Sequence, residues 1–302
     1  MMISILNVLL MLILAPFVLG VITRTKSLMA GRKGPPLLQA YYDVFKLLRK
    51  RTVVSRTTTW IFFAGPVMAL ATALAAALFV PLGNQPPVVS FTGDMLVFIY
   101  LFALARFFIA CAAMDTGSAF EGMGASREVT FSTLAEPAML FGLLALSRIS
   151  GSLSLSDMLD VGKSDAWGKA SASVVLIIIS WFIVLLAENS RVPFDDPNTH
   201  LELTMIHEVM VLDHGGPAFG LILYGVALKL TLFCVLIGTL IFPVGFGSPL
   251  LDITLRMVAI LATIIVIGLV ESGMARLKLV RIPQLLVTAT LLAAFAVVLL
   301  LR

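Results

Sequence analysis

Charged residues are scarce in this chain. Of its 302 residues, only 13% are Asp, Glu, Lys or Arg, whereas 60% are hydrophobic. A soluble globular domain carries about 25% charged and about 45–50% apolar residues. The shortage of charge excludes a soluble domain, and repeated apolar stretches of about 20 residues are long enough to cross a bilayer. Barrel strands would instead alternate in polarity over about 10 residues, so the composition predicts an all-α, polytopic membrane protein.

Cysteines and catalytic motifs are also scarce. Cys111 and Cys234 lie in separate apolar runs, which excludes a disulfide framework and any metal-ligand spacing. We predict that both are small buried side chains. The chain contains no phosphate-binding loop, nucleophile triad or dinucleotide fingerprint. The sequence therefore argues against a self-contained active site.

Eight apolar runs dominate what is present, and residues 1–302 are predicted to form a single integral membrane domain. Fourteen Lys and Arg residues fall in loops on one side of the membrane, and four fall on the other. The positive-inside rule then places the loop 188–218 in the cytoplasm and both termini outside a bacterial or archaeal plasma membrane. The predicted spans are 2–23, 59–81, 94–114, 130–148, 170–187, 219–241, 253–271 and 283–301.

Residues 34–51 are too polar to span a membrane but have apolar residues at helical spacing. This pattern predicts an amphipathic helix at the cytoplasmic interface, with its basic end near anionic headgroups. Alternatively, the helix forms one wall of a chamber beneath a docked partner, with Arg32 and Asp43 facing inward. Composition leaves both possibilities open.

Several ionisable residues lie inside or at the ends of predicted spans, where charge is costly and usually functional. Lys229 is roughly 15 Å from the cytoplasmic end of its span, at 1.5 Å per residue, and is the natural gating charge. A structural ion pair, such as Arg106 with Glu136, is one explanation. A proton relay through buried acids is the other. The candidates for a proton path are Glu128, Glu136, Glu188, Glu202, Glu208, Lys229, Glu271 and Arg106.

The three histidines of the chain, His200, His207 and His214, recur every seven residues in the acidic stretch 188–214. On a helix this spacing puts them on one face. Ligands two turns apart are about 10 Å from each other, which disfavours a zinc site. Two roles stay open for these histidines. They carry protons near neutral pH, or they pack and hydrogen-bond against a partner subunit.

Three motifs resemble a known family. GRKGPPLLQAYYDVFKLLRK at 31–50 and AENSRVPFDD at 187–196 resemble the H-type (subunit 1) membrane protein of respiratory complex I. MDTGSAFEGMGASREVTFSTLAEPAML at 114–140 is closer to the energy-converting nickel–iron hydrogenases and formate hydrogenlyases. The resemblance covers the whole chain. The positions that match the family motifs are Gly31, Arg32, Gly34, Gln39, Asp43, Glu128, Glu188, Arg191, Pro193, Phe194 and Asp195.

The resemblance implies a subunit that joins a peripheral redox arm to antiporter-like membrane subunits. It implies iron–sulfur clusters and a nickel–iron centre in hydrogenase-like large and small subunits and a ferredoxin-like subunit, and no redox cofactor in this chain. Quinone binding is disfavoured, because the acidic segment after Asp195 is replaced and Lys229 stands in span six. The residues expected at the junction with the arm are Arg32, Gln39, Asp43, Asp115, Arg127, Arg191, Asp195, Asp196, His200, His207 and His214.

The sequence thus leads to three hypotheses. The first is a membrane-anchor and proton-coupling subunit of a hydrogenase or formate hydrogenlyase-like complex. The second is the quinone-chamber subunit of a complex I-like oxidoreductase. The third is a stand-alone secondary transporter, although no inverted repeat or matching pair of broken spans is visible.

Overall fold

The computed structural model describes residues 2–82, 86–160, 166–195, 205–241 and 249–301. These residues contain helices and no β-strand. The predicted residues Asp196, His200 and Glu202 lie outside the described residues. The helices are α1 (Met2–Met29), α2 (Gln39–Leu48), α3 (Trp60–Ala77), α4 (Asp94–Asp115), α5 (Ala119–Ser150), α6 (Leu155–Leu159), α7 (Ala166–Glu188), α8 (Gly216–Ile241), α9 (Pro249–Gly273) and α10 (Ile282–Leu299), with 3-10 turns at Glu208–Val211 and Leu279–Arg281.

Eight helices of the described chain are long and apolar enough to cross a membrane: α1, α3, α4, α5, α7, α8, α9 and α10, the last with the 3-10 turn before it. The prediction of an all-α, multi-pass membrane protein is therefore confirmed. Helix α8 is the most enclosed of these helices, since 72% of the residues in its apolar 18-residue segment are buried inside the protein. It packs against α1, α2, α3, α7 and α9. Helix α10 packs against α5 and α7. Cys234 on α8 is accordingly buried, as predicted, whereas Cys111 on α4 is only half-buried. The centre of the core thus lies around α8.

Helix α5 corrects the predicted spans. The sequence predicted a loop at 115–129 and a span from 130, whereas the helix begins at Ala119. Four residues in its first turns, Glu121, Gly124, Ala125 and Glu128, are buried and recur at intervals of three and four. They lie on one face of the helix that points into the protein. Hydropathy misses this segment because its polar face contacts other protein segments and not lipid.

Helix α2 is shorter than the predicted 34–51. It begins at Gln39 and ends at Leu48. Gly34 adopts a φ of 63°, and the following Pro35 and Pro36 restrict the backbone before them, so helical geometry starts only after this turn. Leu38, Tyr42 and Phe45 form an exposed apolar row, at 48%, 60% and 56% exposure.

Candidate functional site

A cluster of four charged side chains, Arg106, Glu136, Glu188 and Lys229, lies inside the helical bundle. The guanidinium of Arg106 donates through Nη1 to Glu188 Oε1 at 2.7 Å and Oε2 at 2.8 Å. Its Nη2 donates to Glu136. Lys229 Nζ donates to Glu188 Oε2 and to the Glu188 backbone carbonyl, both at 2.7 Å. We call these four residues the charged cluster. The predicted Arg106–Glu136 pair is present as one part of it.

Four helices bring the charged cluster together. Arg106 lies on α4, Glu136 on α5, Glu188 at the end of α7 and Lys229 on α8. The two cations are balanced by two carboxylates. This balance matters because an unpaired buried charge costs several kcal/mol. Glu136 is the most open member, since 36% of its side chain is exposed, against 5% for Glu188.

Glu128 adjoins the cluster without joining its ion pairs. Its residue is 8% exposed, and within the described residues it forms no ion pair. It lines a cavity of about 50 Å³ together with Arg106, Glu188, His207 and Lys229. On its other side it lines a smaller cavity of about 20 Å³ that Asp195 also borders. Glu128 therefore lies between the charged cluster and the segment that follows α7.

Residues 205–215, which we call the strap, cover this region. Asp195, which is buried, accepts hydrogen bonds from the backbone N–H groups of Ile206 at 2.8 Å and His207 at 3.2 Å. Arg127 Nη1 donates to the Met205 carbonyl at 3.0 Å. Gly124 permits close packing, because a Cβ there would lie 2.3 Å from Val209 Cγ1. Asp195 and Arg127, both predicted at the arm junction, thus order the strap.

The two described histidines of the strap do not share a helix face. Only a short 3-10 turn, Glu208–Val211, separates them, and Glu208 begins it. The Nε2 of His207 is buried and has no hydrogen-bond partner within the part of the chain that the structure describes. His214 instead stacks on Phe62, with ring centroids 4.0 Å apart, and its Nε2 lies 3.2 Å from the Phe62 carbonyl. The interpretation from the seven-residue spacing is wrong for this pair, because the strap between them forms a short 3-10 turn and not an α-helix.

A second buried carboxylate, Glu271, lies away from the charged cluster. Lys26 Nζ is 2.9 Å from Glu271 Oε2, and Arg191 Nη1 is 3.5 Å from Oε1. These residues border a large open cavity of about 870 Å³ between α1, α2 and the end of α9. We call this cavity the chamber. Gln39 and Asp43, which hydrogen-bond to each other at 2.9 Å, and Arg32 line it too. Arg32 and Asp43 therefore both line the chamber, and the docked partner above it stays a prediction.

The remaining predicted site residue, Asp115, has a local structural contact. Its carboxylate accepts hydrogen bonds from the Thr59 N–H at 2.6 Å and the Thr59 hydroxyl at 2.8 Å. Thr59 is the N-cap of α3, so Asp115 fixes the start of that helix. Sequence reasoning missed Lys26 and Glu121. Lys26 looks like an ordinary interfacial cation in the sequence. Glu121 is buried and accepts a hydrogen bond from the Asp213 N–H at 3.0 Å. Its helical spacing from Glu128 was the signal that could have identified it.

Comparison with known proteins gives the family. The family model described as NADH dehydrogenase matches residues 1–302. The chain is 31% identical over 279 residues to formate hydrogenlyase subunit 4 of Escherichia coli (strain K12), covering 90% of this chain and 89% of that protein. It is 28% identical to hydrogenase-4 component C of the same organism, over 95% of this chain and 91% of the relative. The H subunit of NADH-quinone oxidoreductase from Bordetella avium (strain 197N) is 28% identical over 73% of this chain and 62% of its own length.

The fold has a solved counterpart. A chain in the membrane-bound sulfane sulfur reductase, an archaeal respiratory membrane complex, matches with a TM-score of 0.84 and 21% identity. The match covers 98% of this chain and 99% of that chain. At this identity the likeness shows the fold alone. The resemblance predicted from the three motifs is confirmed by the family model and the relatives together: this chain belongs to the NADH dehydrogenase family and is a membrane subunit of the hydrogenase and complex I type.

Proposed function

We propose that this protein is the membrane-anchor and ion-coupling subunit of an energy-converting hydrogenase or formate hydrogenlyase-like complex. The observation that carries the proposal is the charged cluster, buried among four helices, with Glu128 beside it. Two of the relatives are hydrogenase-type subunits, and they are matched over nearly their whole length. The partners would be hydrogenase-like large and small subunits, a ferredoxin-like iron–sulfur subunit and antiporter-like membrane subunits.

The cluster suits ion coupling because Glu188 is shared between two cations. With Arg106 and Lys229 balanced by Glu136 and Glu188, ionised Glu128 adds one uncompensated negative charge. Moving Lys229 from Glu188 toward Glu128 would favour release of a proton from Glu128, and moving it back would favour uptake. A change in the docked redox arm that shifts the strap would therefore shift a proton at Glu128.

We further propose how this subunit is oriented in the membrane and which subunits hold the redox centres. The chamber, the strap and the charged cluster would lie toward the cytoplasm, where the positive-inside rule places most Lys and Arg residues. Both termini would then lie outside. The redox arm would dock over the chamber and strap. Iron–sulfur and nickel–iron centres would belong to partner subunits, with no redox cofactor held by this chain.

A specific observation favours a second candidate function. The chamber, at about 870 Å³, combines apolar residues such as Leu19 and Leu223 with polar ones such as Gln39. Sites for small amphipathic ligands are of this size and mixed lining. The chamber would accept a quinone headgroup if the chain served a complex I-like oxidoreductase.

Isolation of the native complex discriminates between these functions. We expect nickel and iron to co-purify with this chain and hydrogen evolution to drive ion movement after reconstitution into liposomes. Quinone reduction without nickel would support the second candidate. A chain that migrates alone would contradict both and support a stand-alone transporter.

Lys229→Gln, in the reconstituted complex, tests the coupling itself. We expect ion movement per electron to be lost, because the cation that α8 contributes to the cluster is removed. Lys169→Gln is the matched control, since Lys169 is exposed at the other end of the bundle and should leave ion movement unchanged. Normal ion movement by the Lys229 variant would contradict the mechanism.

A further inference from the structure

The strap carries an unpaired ring nitrogen into the interior. His207 is partly exposed as a residue, yet its Nε2 is buried and has no hydrogen-bond partner among the described residues. A buried polar atom without a partner is energetically unfavourable, so such atoms usually contact water or serve a function. The imidazole borders the cavity of about 50 Å³ that Glu128 and Lys229 also line. The placement of His207 at the arm junction, expected from the sequence, stays a prediction.

The cavity is suited to hold water. One water needs a cavity of about 10–15 Å³ and two to four polar partners. A space of about 50 Å³ therefore accommodates at least one water. The possible partners are His207 Nε2, the Glu128 carboxyl group and the Lys229 ammonium. A water there would satisfy the unpaired nitrogen and connect it to Glu128.

Charges from several elements face His207. Lys229 approaches from α8 and Glu188 from α7, while Glu128 on α5 and Arg106 on α4 line the same cavity. Asp195 holds the His207 backbone N–H. Burial lowers the pKa of His207 to about 4, Lys229 acts in the same direction, and Glu188 opposes them. The ring is neutral at pH 7 and so carries one donor and one acceptor nitrogen.

We propose that His207 relays protons between the side of the strap and Glu128 through a water molecule in this cavity. The inference rests on the proposed ion-coupling function and names an entry residue for it. A proton binds Nδ1, the proton on Nε2 leaves to the water, and the water gives a proton to the Glu128 carboxylate. The imidazole ends neutral with its proton on Nδ1. Rotation of the side chain then turns this N–H toward the cavity, so the next proton binds Nε2 and the Nδ1 proton leaves to the water. No electron moves, and the net change is one proton transferred to Glu128.

His214 provides a matched control within the strap. It is also buried, and burial also lowers its pKa. Its Nε2, however, is 3.2 Å from the Phe62 carbonyl, and its ring stacks on Phe62. It does not line the cavity that contains Glu128. A purely structural role for strap histidines would affect both positions, whereas a relay role would affect His207 alone.

The test compares His207→Gln with His214→Gln in the complete complex, reconstituted in liposomes. Dithionite, a low-potential chemical reductant, supplies electrons. Hydrogen evolution reports turnover and a pH-sensitive dye reports proton movement, both normalised to nickel content. We expect the His207 variant to move at least about tenfold fewer protons per electron, in line with the contribution of a positioned acid–base group. The His214 variant should keep the wild-type ratio.

Chemical rescue distinguishes a relay from packing. His207→Ala leaves a space next to the cavity, and millimolar imidazole should restore much of the proton movement of this variant. A wild-type proton ratio in His207→Gln, or no rescue of His207→Ala by imidazole, would overturn the relay while the proposed function stands. A wild-type complex that evolves hydrogen without moving protons would overturn the proposed function and the relay together.

Discussion

Glu188 and Glu271 occupy equivalent places in the sequence and different ones in the structure. Each lies at the end of an apolar span, and each pairs with one Arg and one Lys. The cations of Glu188, Arg106 and Lys229, have side chains 11% and 14% exposed, and its neighbouring cavities hold about 50 Å³ or less. Glu271 has Lys26, 27% exposed, as a partner and faces a chamber of about 870 Å³.

The surroundings of these two carboxylates, more than the residues that pair with them, therefore determine their roles. Around Glu188 no bulk water replaces a lost partner, so each charge depends on the others. Glu271 is itself buried, but the open chamber beside it allows water to solvate Lys26, whose side chain is 27% exposed. We therefore expect the charged cluster to be sensitive to any change of charge and the chamber wall to be tolerant.

The largest effect is expected from Arg106→Gln. It leaves Glu136 and Glu188 without their guanidinium, and removal of one partner from a buried ion pair costs about 3–5 kcal/mol. We expect little of the subunit to accumulate in membranes, as measured by immunoblotting and by the thermal aggregation midpoint in detergent. Arg191→Gln is the matched control, because its carboxylate Glu271 also keeps one lysine, Lys26 at 2.9 Å, but borders the open chamber. Equal losses of membrane-inserted subunit in both variants would contradict the difference expected between the two carboxylates.

The second-largest effect is expected on the coupling of ion movement to redox turnover. Glu128 forms no ion pair within the described residues, so Glu128→Gln should leave the amount of assembled complex near that of the wild type. We expect redox turnover to continue while ion movement per electron is lost, as measured by dye-reported ion movement in liposomes. Glu136→Gln should uncouple as well and also reduce stability, because Arg106 loses a partner. Unchanged pumping per electron in both variants would remove these residues from the path.

Acid should destabilise the folded protein through His207 in the strap. The pKa of His207 in the folded protein is about 4, below its ordinary value of 6.5. The unfolded chain therefore binds a proton more readily, and the folded state loses stability as the pH falls from about 6.5 to about 4. We expect the thermal aggregation midpoint of wild type to fall over this range and that of His207→Gln to fall less. Equal slopes would show that His207 does not titrate in this way.

The smallest effect is expected from Glu271→Gln. Lys26 loses its carboxylate, but it is partly exposed and borders the chamber, where water replaces the lost contact. The Glu271 side chain is itself 0% exposed, so we expect a fall of about 1 kcal/mol in the free energy of unfolding, measured in detergent, at the upper end of the range for partly exposed ion pairs. A larger fall is expected for Glu188→Gln, because both of its cations are enclosed. A greater loss for the Glu271 variant would reverse the comparison.

Much of the fold could be predicted from the sequence, and less of the site. Apolar runs identify the membrane-crossing helices, because hydropathy depends on the residues of each run alone. The first turns of α5 escaped this reasoning, since Glu121 and Glu128 look like loop residues but are buried against other segments. Of the candidate proton-path residues, Arg106, Glu128, Glu136, Glu188 and Lys229 come together, whereas Glu271 lies at the chamber. The motif resemblance identified the family but gave no pairing between these residues.

The sequence by itself determined that this chain crosses a membrane on helices, that its charges are few, and which family it belongs to. These properties follow from composition, from the length of apolar runs and from local motifs. Only the tertiary structure decided which charges meet. Arg106 and Glu188 are 82 residues apart, yet their side chains lie within 2.7 Å. His207 and His214 share a loop but face different surroundings. Ion pairing and solvation depend on distance and enclosure in space, and packing of helices around α8 sets both.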